Sequence, residues 1–151
     1  MRETALEAYR CVSRFRTAFH DFDYLKHANN IAYITWTETL RCEYMQDVLL
    51  TPIDGAEGWI MAKQSLEYLS QINYLERVAV GARIARIGTK SLEMIYEIWN
   101  DSTGELSARG TSTLVAYDFH RSVSIPVPRV WRERIRAFET TPPVEPAQTA
   151  S

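Results

Sequence analysis

Cysteine is scarce in this chain. Cys11 and Cys42 are the only two, and their spacing fits no metal or redox motif, which excludes a disulfide-stapled scaffold and leaves two reduced thiols as the expectation. Charge of one sign is also missing. Seventeen Lys and Arg stand against nineteen Asp and Glu, a net charge of −2, so no general electrostatic partner, neither nucleic acid nor membrane, is implied. No apolar run approaches the roughly 18 residues that a bilayer-spanning helix needs. The opening MRETALEAYR carries acids and has no apolar signal-peptide segment, so a cytoplasmic location is expected. Internal repeats are absent. The expected organisation is one domain over residues 1–140 and a Pro-rich, disordered tail over residues 141–151.

What remains is a globular composition, 46% hydrophobic and 24% charged, on a chain long enough to bury about two-thirds of its unfolded surface. Residues 9–19 alternate, with Cys11, Ser13, Phe15, Thr17 and Phe19 opposite Arg10, Arg14 and Arg16. That pattern predicts a half-buried strand. Residues 30–49 lack Gly and Pro and stop before Thr51-Pro52, with Ile31, Ile34, Leu40, Tyr44 and Val48 near helical spacing. Tyr33, Trp36 and Met45 widen the apolar surface, which predicts a helix that is wrapped rather than laid on a surface. Strands are predicted over residues 59–69, 77–87, 91–99 and 106–119, with a tight turn at 88–90 and a hairpin loop at 100–104. A short amphipathic helix is predicted over 129–139. The order suggests a single strand, a long helix and a meander of three successive hairpins. The architecture expected is α+β: a five-stranded antiparallel sheet wrapped around a central helix, with an open edge or face that calls for self-association.

The junction HDFDYLKHANN, residues 20–30, holds two acids, two histidines and an Asn pair directly before the helix. Backbone N–H groups at a helix N-terminus are unpaired and favour negative charge. Asp21 or Asp23, with Asn29, could simply cap the helix. Alternatively the helix end is an oxyanion hole, beside which a carboxylate attacks, or activates water to attack, an ester or thioester carbonyl. Asp23 lies too far from Asn30 to cap and is free for that work. A metal site of His20, Asp21, Asp23 and His27 matches no zinc spacing, and none is expected.

Residues 23–33, DYLKHANNIAY, followed by Glu38 and Arg41, resemble the D-x-x-x-H-x-N-N-x-x-Y-x(4)-E-x-x-R signature of hotdog-fold acyl-CoA thioesterases of the 4-hydroxybenzoyl-CoA thioesterase type. Weaker likenesses follow in order: Tyr68-Leu69, the turn at residues 86–92, Ala108 and Gly110 with Val115 and Asp118, and Pro126 and Pro128 before the last helix. The resemblance implies that Asp23 is the catalytic carboxylate, as nucleophile or general base, and that the Asn30 backbone N–H binds the thioester oxygen. From its residue type and place, His27 could hydrogen-bond the attacking water or hold the loop through a backbone carbonyl, and the supporting, loop-holding role is the one expected. Tyr33, Glu38 and Arg41 match positions that shape the pocket and dimer seam, with Tyr33 counted among substrate-binding residues. Lys90 and Ser91 are expected near the coenzyme A phosphates. The implied activity is acyl-CoA thioesterase, with no cofactor beyond coenzyme A as part of the substrate, in a homodimer or homotetramer whose acyl site lies between subunits.

The match has departures. Tyr24, Leu25 and Lys26 make a bulkier loop than the family's, Gln71 stands at a frequent proline, and residues 73–77 replace a common x-x-G-D. The resemblance gives Asp21 no role. Two alternatives stay open: a thioesterase for acyl carrier protein, docked on Arg83, Arg86, Arg109 and Arg121, and a non-catalytic acyl-CoA-binding module.

Overall fold

Alternation along the strands decides which face of the sheet is covered. In β4 (Ser91–Asn100), Leu92, Met94, Tyr96 and Ile98 are buried, while Glu93, Ile95, Glu97 and Trp99 are half-buried on the opposite face. The computed structural model describes residues 6–52 and 54–146. β1 (Cys11–Arg16), β2 (Glu57–Tyr68), β3 (Arg77–Ile87), β5 (Glu105–Asp118) and the two-residue β6 (Val123–Ser124) join β4 in one antiparallel sheet. Helix α1 (Asn30–Glu43) covers the inner face with Tyr33, Trp36 and Leu40, all buried.

The strand order is β1-β3-β4-β5-β2, with β6 against β5. Only two of the three expected hairpins form, β3–β4 and β4–β5. β1 takes the place beside β3, Phe15 facing Val78, and β2 crosses to the far edge, where Leu66 faces Gly110. The link over residues 69–76 is long enough for that crossing and is anchored by the fully buried Ile72, whose carbonyl accepts the Ala28 N–H.

The long helix also differs from expectation at its end. Residues 44–48 close as a π-helical turn, Tyr44–Val48, rather than continuing the α-helical spacing. Nor is α1 wrapped all round. Ile31 is 71% exposed and Ile34 41%, so the chain's own sheet covers one side only.

Helix α2 (Arg129–Phe138) closes the end of the core near residue 49. Trp131 and Ile135 are buried, and the Trp131 indole donates to Thr51 Oγ1 at 3.0 Å. Arg132 is buried and donates to the carbonyls of Gly88 and Thr89, which ties α2 to the β3–β4 turn. The tail expected to be disordered from residue 141 is placed through residue 146. Val144 exchanges backbone hydrogen bonds with Ala85 and Ile87, and Glu145 pairs with Arg132 at 3.3 Å and Arg136 at 2.6 Å. Composition missed this because one apolar residue and one acid suffice to dock a short segment on a free strand edge. Residues 147–151 lie outside the described residues.

Glu139, just past α2, is buried. Its Oε1 accepts the Tyr44 hydroxyl at 2.6 Å and the Ile84 N–H at 2.9 Å, while Oε2 is buried without a partner among the described residues. Burial raises its pKa above the ordinary carboxylate range, against lowering by Tyr44, the Ile84 N–H, Arg83 and Arg10. A raised folded-state pKa means the native state binds the proton more tightly than the unfolded chain. This contribution is therefore full below about pH 4.5 and is lost as pH rises toward the folded value. Urea melts across pH 4–8 are expected to show that loss in wild type and not in Glu139→Gln. Burial likewise pushes the Cys11 thiol up to about 12, so Cys11 stays protonated and unreactive.

Candidate active site

The polar junction is built by short-range hydrogen bonds on the way out of β1. After Arg16 the chain makes a one-turn 3-10 helix, Phe19–Asp21, closed by Asp21 Oδ2 accepting the Ala18 N–H at 2.6 Å. Asp21 is 6% exposed, and its carbonyl accepts the Asn29 N–H at 2.8 Å. The acid left without a role by the sequence is therefore the brace that holds the start of α1 against the end of β1.

Phe22 bridges Ala28, and the residues between them form a tight loop. The Asp23 carbonyl accepts the Lys26 N–H at 3.0 Å, and Asp23 Oδ1 accepts the Leu25 N–H at 2.8 Å. Asp23 is exposed, and its Oδ2 has no partner among the described residues. One carboxylate oxygen is thus fixed by the loop and the other is available.

Asn29 caps α1 through Oδ1, which accepts the Ala32 N–H at 3.0 Å. Asn30 is the first helical residue, is exposed, and its N–H has no acceptor among the described residues. That is the geometry an oxyanion donor requires: a fixed N–H at the positive end of a helix, open to a ligand. Asn29→Ala should cost about 1 kcal/mol of stability, read as a lower urea midpoint at unchanged slope.

His27 holds the loop, but through its main chain. It bridges Asn73, and its carbonyl accepts the Asp23 N–H at 3.4 Å. The imidazole is half-buried and makes no hydrogen bond among the described residues. His20 lies 3.6 Å from Asp21 on an exposed side chain.

Around Asp23 is a cleft of about 500 Å³, lined by Phe19, Phe22, Tyr24, Lys26 and Tyr74. Tyr74 meets Phe22 edge to face at 5.4 Å and Phe19 at 6.3 Å. The turn carrying Tyr74 is fixed by Glu76, whose Oε2 accepts the Asn73 N–H and the Asn100 amide, both at 2.7 Å. The Glu76 carbonyl in turn accepts the Thr17 hydroxyl at 3.0 Å. The Asn100 and Thr17 contacts were not legible in the sequence, because each joins residues far apart along the chain. Leu75, in the turn that departs from the family pattern, sits at φ 66° and is two-thirds exposed. The left-handed backbone is kept there without a glycine.

Tyr33 is 3% exposed and stacks edge to face on Tyr68 at 5.1 Å. Burial pushes its hydroxyl up to about 12, so it stays neutral. Lys90 and Ser91 are not near Asp23 within one chain. Asp23 hangs from the end of β1, where Arg16 faces Arg77, whereas Lys90 and Ser91 follow Ile87 at the other end of β3. Eleven strand residues separate the two ends by roughly 33 Å. Among the described residues no group of three or more His, Cys, Asp or Glu could hold a metal ion, and no helix is long and apolar enough to cross a membrane.

A family model described as the thioesterase-like superfamily matches residues 17–135. No curated protein matches the sequence. Among solved structures, a thioesterase from Thermus thermophilus complexed with coenzyme A and Zn is 31% identical, aligned over 90% of this chain and 98% of its own, with a TM-score of 0.78. A predicted thioesterase from Bacillus stearothermophilus is 26% identical over 87% of this chain and 97% of its own, with a TM-score of 0.76. The fold is shared as well with a 1,4-dihydroxy-2-naphthoyl-CoA thioesterase from Synechocystis, 14% identical over 82% of this chain and 93% of its own, TM-score 0.73.

Proposed function

The chain belongs to the thioesterase-like superfamily and is a hotdog-fold thioester hydrolase, and from that premise we propose that it hydrolyses acyl- or aryl-CoA at Asp23. The observation that carries this is the pairing of a carboxylate with one free oxygen and an unpaired N–H at Asn30, on two sides of one short loop. In the general-base course Asp23 takes a proton as water attacks the thioester carbon. The oxygen gains negative charge facing the Asn30 N–H, and collapse expels the coenzyme A thiolate, which takes up the proton. In the nucleophilic course Asp23 Oδ2 itself attacks, and water then cleaves the mixed anhydride. Thiolate is a good leaving group, so neither course needs a strong acid beside the sulfur.

The aromatic cleft suits an apolar acyl group. No cofactor enters the reaction, and coenzyme A is present only as part of the substrate. For Lys90 and Ser91 to meet the phosphates of a substrate held at Asp23, they must come from a second copy, which makes a homodimer or homotetramer part of the proposal. The exposed Ile31, Ile34, Ile60 and Met61 on α1 and on the edge strand β2 support such a seam. A carrier-protein substrate is less well supported, since Arg109 and Arg121 of its suggested docking face are paired with Glu67 at 2.9 Å and Asp118 at 2.8 Å.

The test is free-thiol release from acetyl-, octanoyl-, palmitoyl- and benzoyl-CoA. Turnover of at least one ester is expected, and the panel ranks acyl classes. If all four bind and none is cleaved, the chain is a binding module and the proposal fails.

A further inference from the structure

The supports of the Asp23 loop meet at Glu76, directly before β3. Its side-chain Oε2 accepts two donors at 2.7 Å, the Asn73 N–H and the Asn100 amide. Its own N–H donates to the Asn73 carbonyl at 3.2 Å, so the turn over residues 73–76 is closed from both sides. Its carbonyl accepts the Thr17 hydroxyl at 3.0 Å and the Thr17 N–H at 3.4 Å.

These contacts fix the loop at both of its ends. On the entering side, Thr17 follows β1, and from it the chain runs through the 3-10 turn to Asp23. On the leaving side, Asn73 bridges His27, whose carbonyl accepts the Asp23 N–H. Asn30 is held separately, on a helix start fixed by the Asn29 cap and the Asp21 carbonyl. A displaced Glu76 therefore moves the carboxylate of Asp23 while the Asn30 N–H stays with α1.

The supports themselves are firm. Asn100 is 1% exposed and Thr17 7%. Asn100 Oδ1 accepts the N–H groups of Ser102 and Thr103 at 3.0 and 3.1 Å, which aims its amide at Glu76. Bonds of 2.7 Å from N–H donors to a carboxylate are at the short, strong end. The turn needs them, because Leu75 sits at φ 66°, a region leucine disfavours and keeps only where its surroundings over-determine it. All of these contacts lie within one chain. None uses the exposed side of α1 or the edge of β2, so a second copy seated there leaves them in place.

We propose that Glu76 is a positioning residue for hydrolysis, setting the place of Asp23 against the Asn30 N–H. It does not line the cleft and acts only through Asp23. The inference rests on the proposed roles of Asp23 and Asn30. What Glu76 supplies is reach rather than charge: an oxygen acceptor at the right length to hold Asn73 and Asn100 together.

Steady-state and single-turnover thiol release test this, with the best CoA ester, at a temperature where thermal melts show every variant folded. Glu76→Ala should lower kcat by about tenfold or more, with KM within about threefold of wild type. Glu76→Asp keeps the charge but draws the acceptors back by one methylene, and should lose as much. Glu76→Gln keeps the length and an oxygen with two lone pairs, and should stay within about threefold of wild type. In an Asp23→Asn background, Glu76→Asp should change the residual rate by less than about twofold, since nothing is left for it to place. An equal loss in both backgrounds means that Glu76 merely supports the fold, and the proposal is overturned. Wild-type kcat in Glu76→Asp overturns it as well, as does a Glu76→Gln variant as slow as Glu76→Asp. If Asp23→Asn is inactive while the Glu76 variants turn over normally, this inference alone falls. Undiminished turnover in Asp23→Asn removes the hydrolase reading of Asp23 and this inference together.

Discussion

Asp23→Asn is expected to lower thiol release from the best CoA ester by at least about 100-fold while leaving the fold intact. The substitution keeps the side chain's shape and the Oδ1 acceptor that receives the Leu25 N–H, so the loop should close as before. What disappears is the basic oxygen that either takes the proton from water or attacks the carbonyl. A factor of 100 corresponds to about 2.7 kcal/mol of transition-state stabilisation. Asp23 is exposed and in no ion pair among the described residues, so the change in unfolding free energy should stay within about 0.5 kcal/mol. Single-turnover thiol release, urea melts and coenzyme A binding on the same preparations separate the cases. A loss of kcat with binding and stability unchanged supports chemistry at Asp23. A variant that keeps more than a tenth of wild-type turnover would remove Asp23 from the chemical step.

The second large effect is structural and concerns Gly110, one of the positions that carried the family resemblance. In β5 it faces Leu66 of β2, and a Cβ built there would lie 2.1 Å from the Ser65 carbonyl oxygen and 2.6 Å from Leu66 Cδ2. The first of these is backbone and cannot turn aside. Gly110→Ala should therefore push β2 away from β5, at a cost of about 3 kcal/mol. For a chain of this length that is a fall of roughly 6–12 °C in Tm. Among the described residues β2 is an edge strand paired with β5 alone, so amide exchange in β2 should accelerate more than in β3 and β4. Uniform acceleration across the sheet, or a Tm within about 2 °C of wild type, would contradict this account of the glycine.

The sequence by itself determined much of what depends on neighbours along the chain, though not the π-helical turn at 44–48 or the bond from Ala18 to Asp21. Period-two alternation made β3, β4 and β5 legible to within a residue or so of their observed bounds, since a sheet with one covered face sorts side chains by parity. The start of α1 was legible from Asn29, whose side chain competes for helix-end N–H groups wherever it is placed. Asp23 stood out for the same kind of reason, being too far from that helix end to serve it. Only the tertiary structure decided which strands meet. Backbone donors and acceptors are chemically alike in every strand, so β1 could displace β2 beside β3 without any local signal. It also decided what the long-range contacts hold: Glu76 braced on Asn100, Val144 docked on β3, and Lys90 far from Asp23. Arg41 belongs to this second group. Its sequence position marks a charge on a helix, and only the packing around it buries that charge beside Thr37 and Tyr96, with no carboxylate in ion-pair reach among the described residues.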